Sequence, residues 1–190
     1  PFYVTRIRFP LASGVVAISR HLETKVVGYL QRRNQNAVLR VPILIDPDQV
    51  DAGEWSKKNP APADRYVLWC GLADAYLDSV LWMLSSFASI QSRAPDLHFV
   101  ITGPCTQEAK SRIVRRAEEL GIQHRIFVMG MVERQKLFGL QRHAVALLSP
   151  LEDNERNRSR FPTKIGEYLA SKRPLITCAV GEIAEYFTDG

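Results

Sequence analysis

Cysteine, histidine and long apolar runs are scarce in this chain, and each scarcity removes a class of function. The 190 residues hold 3 cysteines and 4 histidines. Cys70, Cys105 and Cys178 lie far apart with no metal-ligand spacing, each at or near the end of an expected strand, the setting of a small buried hydrophobe. Neither a disulfide framework nor a zinc site is indicated, and a reducing, cytoplasmic compartment is expected. His21, His98, His124 and His143 share no spacing with cysteines or acids and read as surface or boundary residues. No apolar run approaches the roughly 20 residues that cross a bilayer as a helix. Internal repeats and low-complexity tracts are missing too.

What is present is a moderately basic, globular composition. A formal charge of +5 and 46% hydrophobic residues suit one core plus the remnant of a second, and favour anionic partners. The charge is not clustered: Arg32, Arg33, Lys57, Lys58, Arg112, Arg115 and Arg116 are interleaved with acids, without the aromatic platform of a single-strand binder. Nucleic acid is therefore not an expected partner. A basic helix around Arg20 to Arg33 suits either an ordinary solvated face or peripheral contact with the inner face of an anionic membrane. The chain opens at Pro1 without methionine and closes at Gly190, so we expect a piece of a longer protein; neither end resembles a signal peptide or tag.

From Arg65 onward short apolar runs alternate with amphipathic helices, the order of a parallel α/β sheet with helices on both faces. Strands are expected at Tyr66–Gly71, Leu97–Gly103, Arg125–Gly130, Ala144–Leu148 and Pro174–Cys178. Between them Val80, Leu84, Phe87 and Ala88 recur at helical spacing, as do Ala109, Ile113, Ala117 and Leu120, with Gly121 as a cap. A further helix is expected over Glu133 to Arg142, and a last one over Glu182 to Phe187. Trp69 and Trp82 read as core or near-core aromatics, and Leu151 to Arg160 as a polar loop. Earlier, Gly14–Ser19 and Ala37–Pro42 read as strands flanking a helix near Arg20 to Asn34. A Pro-rich linker over Asp46 to Asp64, containing Trp55, then sets a boundary that divides residues 1–64 from 65–190.

The stretch Phe161-Pro162-Thr163-Lys164-Ile165-Gly166-Glu167-Tyr168-Leu169-Ala170 carries the strongest functional signal. Pro162 fits a first helical turn, Lys164 and Glu167 share one face three residues apart, and Ile165, Tyr168 and Leu169 face a core. A strand end followed by a helix N-terminus is where open α/β sheets bind anions and cofactors. This segment, with the strand ends at Gly71, Ile101-Thr102-Gly103 and Gly130-Met131-Val132, with Ser149-Pro150 and with Gly181-Glu182-Ile183-Ala184-Glu185, resembles the C-terminal half of retaining GT-B glycosyltransferases of the glycogen synthase and sucrose synthase superfamily. The resemblance runs over almost the whole chain.

It implies that 65–190 is most of a nucleotide-sugar donor-binding domain, and that 1–64 ends the acceptor-domain side and crosses between domains. The rest of the acceptor domain would be missing. Glu167 would accept hydrogen bonds from the donor ribose, Gly71 would follow the first strand at the donor site, and Gly130, Met131 and Val132 would lie along the base. Ser159, Arg160, Phe161, Pro162 and Thr163 would face the diphosphate or sugar. The implied reaction moves a sugar from a nucleoside-diphosphate donor to a glycan or lipid-linked acceptor with retention, using no cofactor and no metal. Two departures bear on it. Ser159 stands where the family usually has a sugar-contacting glutamate, and no arginine or lysine follows Gly71, where the family carries cations for the leaving diphosphate. Lys164, with Arg158 or Arg160, is the replacement we expect. A degenerate nucleotide- or glycan-binding relative, and a nucleotide-sugar epimerase of the same fold, stay open as alternatives.

Overall fold

The structure is a computed structural model, and it describes residues 12–30, 37–48 and 57–187. Trp55 and the tail of the expected helix, 31–34, lie outside the described residues. The chain divides into two compact units.

The larger unit comprises 46–150 and 167–176. Its sheet holds β3 (Tyr66–Cys70), β4 (His98–Thr102), β5 (Ile126–Gly130), β6 (Ala146–Ser149) and β7 (Leu175–Thr177) in the order β5-β4-β3-β6-β7. Pairing is parallel, in register Tyr66 to His98 and Val67 to Ala146, and β4 meets β5 with a bulge at Ile101/Thr102. The chain starts at the centre, works outward to β5, then returns to the other side of β3. That reversal makes the gap between the carboxyl ends of β3 and β6 a topological switch point.

Strand β3 is buried on both faces, so its residues alternate between two cores. Val67 and Trp69 join Phe99 and Ile101 beneath α2 (Leu77–Ser89) and α3 (Gln107–Glu119), through Val80, Leu84, Phe87, Ile113 and Ala117. Tyr66 and Leu68 join Val100 and Leu147 on the opposite face, with Leu140 of α4 (Arg134–His143) and with Tyr168. Tyr168 belongs to α6 (Thr163–Ala170), which closes that face. The helices lie on both faces, as the alternation predicts.

The smaller unit, within 12–45, 151–166 and 177–187, pairs β1 (Gly14–Ala17) in parallel with β2 (Ala37–Arg40) beside α1 (Arg20–Leu30). It also holds α5 (Glu155–Ser159) and α7 (Glu182–Tyr186). Gly166 lets the first turn of α6 close on Ile43 and Ile45, whose atoms would lie 3.3–3.4 Å from an added Cβ.

Four expectations are corrected. The polar loop over 151–160 contains a short helix, α5, because Asn154 accepts the N–H of Asn157 and caps it. Leu169 is 45% exposed: it follows Tyr168 by one position, about 100° further round the helix and off the buried stripe. Trp82 is 61% exposed, since α2 turns Val80, Met83, Leu84 and Phe87 inward instead. The three cysteines are half-buried rather than buried and none is in a disulfide, because each sits at or shortly after the end of its strand, at the rim of the core.

Gly103 has φ +115, and a Cβ there would stand 2.1 Å from the carbonyl oxygen of Gly71. Gly103→Ala should therefore cost about 3 kcal/mol in urea denaturation. Trp82→Ala should stay within about 0.5 kcal/mol, as an exposed residue with no buried partner does. Equal losses in the two variants would contradict this reading of the packing.

Candidate functional site

In the larger unit the strand ends converge through glycine. The Gly71 N–H donates to Thr102 O at 3.0 Å, and the Gly103 N–H donates to Gly130 O at 2.9 Å. Gly103 and Gly130 both have positive φ, +115 and +67, so β4 and β5 turn sharply at their carboxyl ends where a side chain would obstruct or strain the turn. Past Gly130, Met131 is 73% exposed and Val132 packs at the margin of the core that holds Tyr66, Leu68 and Tyr168.

Glu167 lies on α6, one position before Tyr168. Tyr168 is fully buried, and its hydroxyl accepts the Cys70 N–H at 3.2 Å. Burial pushes the phenol far above its usual range, so it stays neutral and keeps this bond. Glu167 keeps about a quarter of its side chain exposed, 27%. Its Oε2 accepts from Gln141 Nε2 at 3.4 Å, and its Oε1 is 3.9 Å from Arg134 Nη2. Both partners come from α4, the helix that follows Gly130-Met131-Val132.

The loop after Gly71 carries no cation. Asp74 accepts the Thr106 N–H at 3.0 Å and also the Thr106 hydroxyl. Thr106 in turn caps α3, accepting the Ala109 N–H at 3.2 Å.

In the smaller unit α5 is held from several sides. Ser19 Oγ donates to Ser159 O at 2.8 Å, Lys25 pairs with Glu155, and Gly181 comes so near that a Cβ would meet Asn157 O at 2.9 Å. Ser159's own hydroxyl turns back to Glu155 O at 2.6 Å. Arg158 forms a two-pronged pair with Asp153, at 2.6 and 2.8 Å. Arg160 follows α5 in extended backbone, half-buried. Phe161 is buried, stacked on Tyr186 with centroids 5.4 Å apart. Pro162 immediately precedes α6 and accepts the Ile165 N–H at 3.0 Å; Thr163 is exposed and Lys164 half-buried in the first turn. Below them Glu182, almost fully buried, accepts the Arg20 N–H at 2.6 Å and lies 3.5 Å from Arg40.

The larger unit thus brings together Gly71 and Gly130, and ties Glu167 to the helix that begins beside Met131 and Val132. The smaller unit carries Ser159, Arg160, Phe161, Pro162, Thr163 and Lys164 on one continuous stretch. The sequence marked Gly103 only as a strand end, with no site role, and passed over Arg134 and Gln141. Gln141 did leave a signal: it stands three residues after Phe138, on the stripe that α4 buries. At the start of the expected linker the Asp48 N–H donates to Asp46 Oδ1 at 3.1 Å, a local turn. Among the described residues no group of three or more His, Cys, Asp or Glu side chains is placed to hold a metal ion, and no helix is long and apolar enough to cross a membrane.

Residues 64–190 match the family of group 1 glycosyl transferases. The chain belongs to that family. Comparison with curated proteins finds no match. Among solved structures, this glycosyl transferase chain is similar to a UDP-forming α,α-trehalose-phosphate synthase from Burkholderia xenovorans, with TM-score 0.66 and 15% identity over 93% of this chain and 48% of that one. It is similar to sucrose-phosphate synthase from Thermosynechococcus elongatus, with TM-score 0.65 and 19% identity over 90% of this chain and 42% of that one. It is also similar to the Anabaena protein HepE solved with UDP and glucose, with TM-score 0.63 and 16% identity over 94% of this chain and 48% of that one. At these identities the likeness is one of fold, that of the C-terminal half of GT-B glycosyltransferases. The chain spans about half the length of the structures it matches.

The Thr106 hydroxyl and N–H hold the Asp74 carboxyl below the ordinary aspartate value of 3.8. With the folded value below the unfolded one, this bond stabilises above the unfolded value and its contribution is lost as pH falls through the folded one. The melting-point gap between the native protein and Asp74→Asn should be constant above about pH 5 and close below about pH 4. A gap that persists under acid would show that the carboxylate charge is not what Thr106 holds.

Proposed function

We propose that this chain is the donor-binding part of a glycosyltransferase that takes a sugar from a nucleoside-diphosphate donor and passes it, with retention, to a glycan or lipid-linked acceptor. The observation that carries this reading is Glu167, a partly exposed carboxylate fixed beside the carboxyl end of the central strand by Tyr168. A carboxylate suits the vicinal diol of a ribose because it accepts two charge-assisted hydrogen bonds at once. The loop at Gly130, Met131 and Val132 leads into the helix whose Gln141 touches Glu167, and would lie along the base. The Gly71 and Gly103 turns leave the backbone bare, which lets a ligand approach closely. No cofactor takes part; the nucleotide sugar is the substrate.

Departure of the diphosphate develops negative charge, and preorganised cations and N–H groups lower that barrier. Lys164 and Arg160 would supply the cations and the first turn of α6 the N–H groups, with Ser159, Phe161, Pro162 and Thr163 forming the wall of the sugar and phosphate subsite. In a retaining transfer the acceptor hydroxyl then attacks from the face the diphosphate leaves. An acceptor domain would place that hydroxyl. On this reading the reaction would run in the cytoplasm, with α1 available for peripheral contact at the inner membrane face.

A second reading has its own support. The segment after Gly71 presents Asp74 where the family carries cations, and the Ser159 hydroxyl is committed to Glu155 O. Those features suit a relative that binds nucleotide or glycan without transferring sugar.

Calorimetric titration with UDP, GDP, dTDP, CMP and ADP separates the two, run beside Glu167→Gln and Lys164→Ala. One nucleoside diphosphate should bind selectively and about 10- to 100-fold more weakly to Glu167→Gln, the worth of a charged hydrogen bond. In the complete enzyme Lys164→Ala should lower turnover by about 100-fold or more while changing donor affinity less. Selective binding without turnover would favour the second reading; no binding at all would overturn both.

A further inference from the structure

Gln141 is fully buried on α4, between the buried Phe138 and Leu140 of the same helix and Ala144, which follows it. An apolar residue would fill that position without any polar group to satisfy. Its amide uses only part of its capacity: Nε2 donates to Glu167 Oε2 at 3.4 Å, while Oε1 is buried with no hydrogen-bond partner among the described residues. Reversing the amide would aim Oε1 at the carboxylate, so Glu167 itself dictates which way Gln141 faces. The carboxylate is thereby divided into two unlike oxygens. Oε2 is tethered from inside the fold; Oε1 faces outward, 3.9 Å from the guanidinium of Arg134. Arg134 is 65% exposed and rests over the Phe138 ring, 5.2 Å from its centroid, so its pairing with Glu167 is a weak, solvent-screened one that a ligand can displace.

We propose that Gln141 is a positioning residue for the donor site: it holds the Glu167 carboxylate from behind in the rotamer that receives the ribose diol. The inference rests on the donor-binding reading above. Glutamate has three rotatable side-chain bonds, and an untethered carboxylate must surrender that freedom when ligand binds. A buried amide that cannot move removes most of this loss beforehand. Arg134 supplies the complementary restraint from outside, keeping the free carboxylate from swinging into solvent before the sugar nucleotide arrives.

The test uses whichever nucleoside diphosphate binds best in the titration, beside its 2′,3′-dideoxy counterpart, which lacks the diol. Gln141→Leu and Gln141→Met both fill the buried space, and their melting points report any loss of fold. Each should weaken the ribonucleotide about tenfold and leave the dideoxy analogue unchanged, a selectivity that general damage to the core would not produce. In combination with Glu167→Gln the further loss should vanish, because the amide then has no carboxylate to hold. Equal weakening of both nucleotides, or of neither, in a protein that responds to Glu167→Gln overturns the positioning role alone. Indifference of ribonucleotide binding to Glu167→Gln overturns the donor-site reading and this inference with it.

Discussion

The hydroxyl of the fully buried Tyr168 accepts the N–H of Cys70 at the rim of the core, and the placement of the candidate site follows from that bond. A buried phenol must find a partner or carry a large desolvation cost. The partner here is the last residue of the central strand. Because successive helix residues are separated by about 100°, fixing Tyr168 on the buried stripe of α6 fixes where its neighbours point. Leu169 is carried outward although it is apolar, and Glu167 to the flank, where Gln141 meets it. A slip of one residue along α6 would drive the Glu167 carboxylate toward the core and expose the phenol. The register of a single core hydrogen bond therefore selects which side chain is presented beside the sheet end.

A second constraint acts on the backbone. Gly71 and Gly103 approach so closely that only hydrogen fits between them, and Gly103 in turn donates to Gly130. Three adjacent strands end together for this reason. The result is a shelf of main chain with few side chains above it, the kind of surface on which charge must be met by N–H groups or by cations brought from elsewhere.

Much of this was legible from residue types. Every expected strand that falls among the described residues is present, because continuous apolar runs such as Tyr66–Cys70 and Ala146–Leu148 can satisfy two covered faces at once. The helix of Glu167 was legible too, from Pro162 and the spacing of Ile165 and Tyr168. What escaped notice depends on partners distant in sequence. Asn154 caps a helix in a segment whose composition reads as loop, since capping depends on one hydrogen bond rather than on periodicity. Trp82 lies outside because α2 is wide enough to bury only one stripe, and Val80, Met83, Leu84 and Phe87 fill it. Gln141 shares a stripe with Phe138, but its meaning comes from Glu167, 26 residues on.

The distribution of charge is narrower than the net of +5 suggests. In the smaller unit Arg20 pairs with Glu185, Lys25 with Glu155 and Arg158 with Asp153. In the larger one Arg65 pairs with Asp96 and Arg116 with Glu119. A cation already matched to a carboxylate projects little field toward a third charge, since the two cancel beyond a few ångströms and salt screens the remainder. The formal excess of positive charge is thus not a measure of the potential at the sheet end. After Gly71 the nearest ionisable side chain, Asp74, is an anion committed to Thr106. An anion brought to that shelf would meet main-chain N–H groups and one carboxylate, so any cation that offsets its charge has to come from outside the loop that follows Gly71.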